Sequence, residues 1–183
     1  MLFILPPVLG VVLGLLLGGS AANWDRLHVR WPWLIVVVLF VRLAIGFTPL
    51  SSIAALRYVY EISLLGFVVW TLLQAKALPG FWIGAVGASL NLLVIVVNSG
   101  HMPVSPISGY VPTDPNELYV VADSATRINW LGDWIGIPGW LGGAMSPGDF
   151  LIAIGIGVVA FLVTHRKPPA TKLLEETSSS MGR

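Results

Sequence analysis

Apolar residues fall in five long runs, at residues 2–19, 33 to 47 or 48, 53–78, 81–97 and 149–164, with short polar breaks between most of them. Each approaches the roughly 20 apolar residues that a helix needs to cross a bilayer. The breaks carry helix-end signals. Pro6 and Pro7 fall in the first turns of the first run, where the missing N–H groups would be unpaired in any case. Thr48-Pro49-Leu50-Ser51-Ser52 ends the second run, and Lys76 with Pro79-Gly80 closes the third. In Ser146-Pro147-Gly148-Asp149, proline follows a serine cap and an acidic residue sits three positions after it, which starts the fifth.

Only residues 98–147 depart from this rhythm, and the segment is too long for a plain connection. Asn98-Ser99-Gly100 can end the fourth helix, with Gly100 as a left-handed cap. Met102, Pro103, Val104 and Pro106 then form a stiff apolar hook suited to folding back onto the helices. Asp114-Pro115-Asn116-Glu117 predicts a short helix over 115–125. Residues 127–135 predict another, lying on the membrane surface, with Trp130, Leu131, Trp134 and Ile135 on one side and Asn129 and Asp133 elsewhere. Residues 165–183 are polar, and a disordered tail is expected there.

Composition supports this picture. The chain has 183 residues, 56% hydrophobic and 10% charged, with a mean hydropathy of +0.84; a soluble domain carries about 25% charged residues. A net charge of +1 without a basic stripe argues against a nucleic-acid partner. The absence of cysteine excludes disulfides, thiolate metal sites and a cysteine nucleophile. The expectation is an all-α integral membrane protein with about five transmembrane helices in one domain, residues 1–164. With the N-terminus outside, Arg26, Arg30, Lys76, Arg166, Lys167, Lys172 and Arg183 fall inside, while Arg57 and Arg127 fall outside. That is the positive-inside bias. The long segment then faces outward with Asp114, Glu117, Asp123, Asp133 and Asp149, and the tail is cytoplasmic.

Polar residues within apolar helices are costly and are candidates for a site. Arg42, Glu61 and Asn91 lie roughly 9, 6 and 10 Å below the outer helix ends at ~1.5 Å per residue. An Arg42–Glu61 ion pair with Asn91 hydrogen-bonding nearby is expected. Such a pair serves equally well to fix helix register or to hold a ligand or proton, and the sequence leaves both open. Asn98, His101 and Met102 stand above this cluster and complete the candidate ligand-binding set. His28, His101 and His165 are too far apart for a metal site, and no cofactor motif is present. Asp123-Ser124, Asp133 and His101 can be combined into a triad on paper, as any loop this long allows. Gly10, Gly14 and Gly18 share one helix face, which suits either packing inside the chain or a homodimer or other membrane-protein partner. Trp70 reads as core packing.

In Asn98-Ser99-Gly100-His101-Met102-Pro103-Val104-Ser105-Pro106, Ala122-Asp123 to Arg127, Leu131-Gly132-Asp133-Trp134-Ile135 and Ser146-Pro147-Gly148-Asp149, the chain resembles a family of small bacterial membrane proteins catalogued as a domain of unknown function. The resemblance implies a bacterial plasma membrane and supplies no reaction or catalytic residue. Three functions stand open. One is a binding module or accessory subunit with an outer-leaflet pocket for a lipid-like ligand. Another is a small transporter or proton-coupled carrier using Glu61. The third is a membrane-embedded hydrolase or transferase acting through His101.

Overall fold

The computed structural model describes residues 3–46, 53–109, 118–137 and 143–166. Its helices are α1 (Leu5–Leu16), α2 (Pro32–Gly46), α3 (Ala54–Gln74), α4 (Gly80–Val97) and α5 (Pro147–His165), one for each apolar run. Three of them, Ala55–Gln74, Gly80–Val97 and Pro147–His165, are long and apolar enough to cross a membrane. The helix α1 is shorter than expected because Gly18 takes a left-handed conformation (φ +85°) and the chain leaves the helix there. The turn at residues 48–52 and the polar tail lie outside the described residues.

Glycine sets the packing around α5. A Cβ at Gly10 would strike the Gly157 carbonyl of α5, and one at Gly14 would lie 2.7 Å from Thr164 Cβ. Gly80 and Gly87 of α4 press on the backbone of α5 at Gly155 and Gly148 in the same way. Small residues allow backbones to approach closely, so that dispersion replaces the hydrophobic force that lipid cannot supply. The glycine face of α1 is therefore spent inside the chain: Gly10 and Gly14 are covered by α5, and Gly18 ends a helix. The pairings run Pro6 to Gly157 and Gly14 to Thr164, so α1 and α5 are parallel, whereas Gly80 to Gly155 and Gly87 to Gly148 make α4 antiparallel to α5.

One end of this bundle is tied by side chains to backbone. Gln74 clasps Arg30, whose N–H donates to Oε1 and whose carbonyl accepts from Nε2, each at 3.0 Å. Trp70 is buried between Phe67 and Phe81 and donates Nε1–H to the Arg30 carbonyl at 3.0 Å. The carbonyls at the C-terminus of α5 are capped from the turn after α1. Ser20 N and Asn23 Nδ2 both donate to Thr164 O at 2.9 Å, and Asn23 Nδ2 also donates to Arg166 O.

The other end is closed by a small β cap, so the all-α expectation holds for the bundle and not for the segment between α4 and α5. Ser99 and Gly100 are both left-handed (φ +57° and +89°) and reverse the chain after α4. A Cβ at Gly100 would collide with Glu61 Oε1 and Arg57, so glycine is required there twice over. The hook follows as strand β1 (Met102–Val104), wholly buried against Leu64, Val68, Ala88, Val94 and Ile95. It pairs in parallel with β2 (Tyr119–Val121), and Val104 bridges to Asp133 on its other side. Strands β3 (Ile135–Gly136) and β4 (Ala144–Met145) form a second, antiparallel pair.

Two expected helices are thereby corrected. The start at 114–117 lies outside the described residues, but 119–121 is a strand, because the edge of β1 offers it backbone partners. Asp123 begins a turn instead, its Oδ1 accepting from Ala125 N at 2.8 Å and Thr126 N at 3.1 Å. Over 127–135 only a single 3-10 turn forms, at Asn129–Leu131. Ile128 is left-handed (φ +49°), and the Asn98 side chain holds both the N–H and the carbonyl of Arg127, at 2.7 and 2.9 Å. Leu131 and Asp133 point inward, while Trp130 and Trp134 are exposed.

Candidate functional site

The fifth helix starts as its sequence dictates. Ser146 Oγ accepts from Asp149 N at 2.9 Å, and Asp149 Oδ2 accepts from Ser146 N at 3.2 Å, a reciprocal capping box. Buried Asn91 of α4 reads that box from the side. Its Nδ2 donates to Asp149 Oδ1 and its Oδ1 accepts from Ser146 Oγ, both at 2.8 Å. A Cβ at Gly148 would collide with Asn91 Oδ1, so only glycine fits between them. The partners of Asn91 are thus on α5, rather than on an Arg42–Glu61 pair. The Arg42 side chain is outside the described residues. Glu61 lies against Gly100 at the end of α4.

Facing this box is Asp133, buried to 6% exposure. Its backbone is fixed by two bonds to the hook, Asp133 N to Pro103 O and Ser105 N to Asp133 O, each 2.8 Å. Its Oδ1 is buried and has no hydrogen-bond partner. Burial, together with the nearby charge of Asp149, pushes the Asp133 carboxyl up from 3.8 to about 8. The expectation had placed Asp133 off the apolar side of a surface helix over 127–135. It turns inward because the hook pairs with residue 133 as a strand would, which points its side chain at the bundle.

Asp133, Asp149, Asn91 and Tyr119 line two adjoining hollows. The smaller, about 60 Å³, is a cup completed by Tyr60, Ile95, Gly100, Met102 and Leu118. The larger is a groove of about 680 Å³ running between α2, α3, α4 and α5. Its wall is apolar, with Val38, Leu64, Phe67, Phe81, Ile152 and Val159 among its lining, and Gly84 and Gly155 in its floor. Among the described residues no lysine, arginine or histidine lines either hollow. Gly84 differs from its neighbours on α4, because a Cβ there would meet nothing within 4 Å.

The other candidate residues take different places. Met102 is core and also touches the cup. Asn98 pins the outer segment through Arg127. His101 stands outside the cup. Its Nδ1 donates to the Asn98 carbonyl at 3.2 Å, which leaves Nε2 to accept from Arg57 Nη1 at 3.1 Å. Its described hydrogen bonds reach no carboxylate, and Asp123 is occupied with its own turn. The paper triad is not assembled. Among the described residues no group of three His, Cys, Asp or Glu side chains could hold a metal.

Sequence reasoning missed Asp133 and Asp149 as site residues. The capping signal located Asp149, but not its second role.

The sequence matches the model of a family of unknown function (DUF5317) over residues 26–161, and the chain belongs to that family. No curated protein matches it. No solved structure matches it either.

Proposed function

We propose that this chain is an integral membrane binding protein whose groove and cup hold one amphipathic, lipid-like molecule. The tail lies among the apolar residues of α2 to α5, and the polar end lies at Asp133, Asp149 and Asn91. One observation carries the reading: the apolar groove and the acidic cup adjoin, with Asn91, Tyr119, Asp133 and Asp149 lining both. A largely apolar hollow with a few convergent polar groups is the form that small-molecule sites take. An unpartnered carboxyl oxygen in it is a cost that a ligand would remove.

All five helices cross or enter a bacterial plasma membrane in this reading, with the N-terminus and the β cap outside and the tail in the cytoplasm. Charge bias supports that orientation. The cup then opens to the outer leaflet. In a chain without cysteine, Ile107→Cys and Lys76→Cys occupy exposed positions at opposite ends. An impermeant thiol reagent should label only the first in intact cells, and the reverse pattern would invert the assignment.

Gly84→Leu tests the site itself. The new side chain enters open space in the groove, so the bundle should fold while the tail loses its place. Native mass spectrometry of gently extracted protein should find a stoichiometric amphiphile on the unaltered chain and little on the variant. Equal retention by both would remove the groove from consideration. A stoichiometric protein in place of a lipid would favour the accessory-subunit reading.

A further inference from the structure

We infer that the cup takes the primary ammonium group of an amphiphile, held between the Asp133 and Asp149 carboxylates. This rests on the amphiphile reading above and specifies its polar end. The reason is an inventory of donors and acceptors. The Asn91 amide is used up on Asp149, and the Ser146 hydroxyl donates to Asn91. Acceptor capacity is in surplus at the Asp133 carboxyl, whose Oδ1 is buried without a partner, and at the unused lone pairs of Asp149. An ammonium brings three donors and no acceptor. A sugar or glycerol head would bring no positive charge to set against the two carboxyls. A phosphate would meet two carboxylates with no lysine or arginine in the lining of the described hollows.

The groups facing Asp133 define the electrostatics. Asp149 comes from α5, Tyr60 from α3, Tyr119 from β2 and uncharged Asn91 from α4, while Arg57 and Glu61 stand behind Gly100. The empty cup keeps a proton on Asp133, since burial beside Asp149 opposes a second charge. Entry of R–NH3+ reverses this. The Asp133 O–H proton leaves to bulk water, and the carboxylate so formed accepts an N–H of the ammonium. Charge in the cup is unchanged, and the ammonium keeps all three of its protons. An alkylammonium stays charged to about pH 10, so the proton released comes from the protein.

The test uses the full chain in nanodiscs of uncharged lipid, with empty discs as the blank. Dodecylamine, dodecanol and dodecyl phosphate are the probes. At pH 6 the amine should bind at least about tenfold tighter than the alcohol and release about one proton per molecule bound. Its affinity should rise up to about tenfold per pH unit toward pH 8. In Asp133→Asn the proton release should vanish and the preference for amine over alcohol should collapse. Equal binding of amine and alcohol by the unaltered chain, or preference for the phosphate, would overturn the ammonium assignment and leave the amphiphile reading standing. Failure of all three to bind would overturn both. Should Asp133→Asn fail to fold, proton release from the unaltered chain decides alone, and amine uptake without it counts against the proposal.

Discussion

The two ends of α5 are both polar and both buried, yet they are built differently. At the C-terminal end Thr164 is fully buried and each of its own polar groups has a fixed partner, while the adjacent His165 Nδ1 is buried without one and lines neither hollow. The Thr164 hydroxyl donates to Ala160 O at 2.8 Å and accepts from Trp24 Nε1 at 3.0 Å, while its carbonyl accepts from Ser20 and Asn23. At the N-terminal end the capping box is equally well served by Asn91, but Asp133 beside it has an oxygen with no partner and lines a hollow. A buried polar group that is satisfied holds a structure together. One that is unsatisfied costs about 1–3 kcal/mol and is retained where a ligand relieves it.

Substitutions at the two ends should separate these roles. Asn91→Ala removes the amide between Ser146 and Asp149, leaving a part-buried carboxylate oxygen without its donor and the buried Ser146 O–H without its acceptor. A loss of about 2 kcal/mol is expected, together with loss of the bound amphiphile. Asn23→Ala at the C-terminal end strips a donor from two carbonyls, of which Thr164 O keeps Ser20 N, and about 1 kcal/mol is expected, with the amphiphile still bound. Denaturant unfolding in mild detergent, paired with mass spectrometry of the bound ligand, measures both. If Asn23→Ala also empties the groove, the two ends are coupled through α5 and the contrast between them fails.

Much of this fold was legible in the sequence because its signals are local. Apolar run length gave the five helices. The Ser146-to-Asp149 spacing gave the start of α5, and Asn98-Ser99-Gly100 gave the end of α4. The hook at 102–104 was read correctly as apolar chain returning to the bundle. The inward turn of Asp133 was not legible, since it depends on Val104 pairing with a residue almost thirty positions later. Strand pairing in the outer segment overrode the helical pattern of 127–135, where a left-handed Ile128 has no sequence signal. Asn23, Gln74 and Thr164 escaped notice for the same reason. Each is an ordinary polar residue whose partner lies between 44 and 143 positions away. Asn91 was identified by its depth, but depth alone could not say which neighbour it served.

The smallest effect at low pH, and the most diagnostic, belongs to Asp133→Asn. Folding raises this carboxyl from 3.8 to about 8, so the folded state binds the proton more firmly than the unfolded one. Where the folded state holds more protons, stability falls as pH rises. The contribution of Asp133 is therefore complete below about pH 4 and is lost progressively as pH approaches 8. Asparagine cannot ionise, so the variant lacks this slope. Thermal midpoints should nearly coincide at pH 4, and the variant should be the more stable of the two at pH 8. A variant that is less stable at pH 8 would mean that an ionised Asp133 has a partner in the folded chain, and the contrast between the two ends of α5 would disappear. Saturating dodecylamine extends the same measurement. The ammonium supplies the missing partner to ionised Asp133, so the amine-loaded chain should regain stability at pH 8, while Asp133→Asn should gain little. The cost visible in the empty cup and the affinity for an amine are then the same interaction measured from two sides.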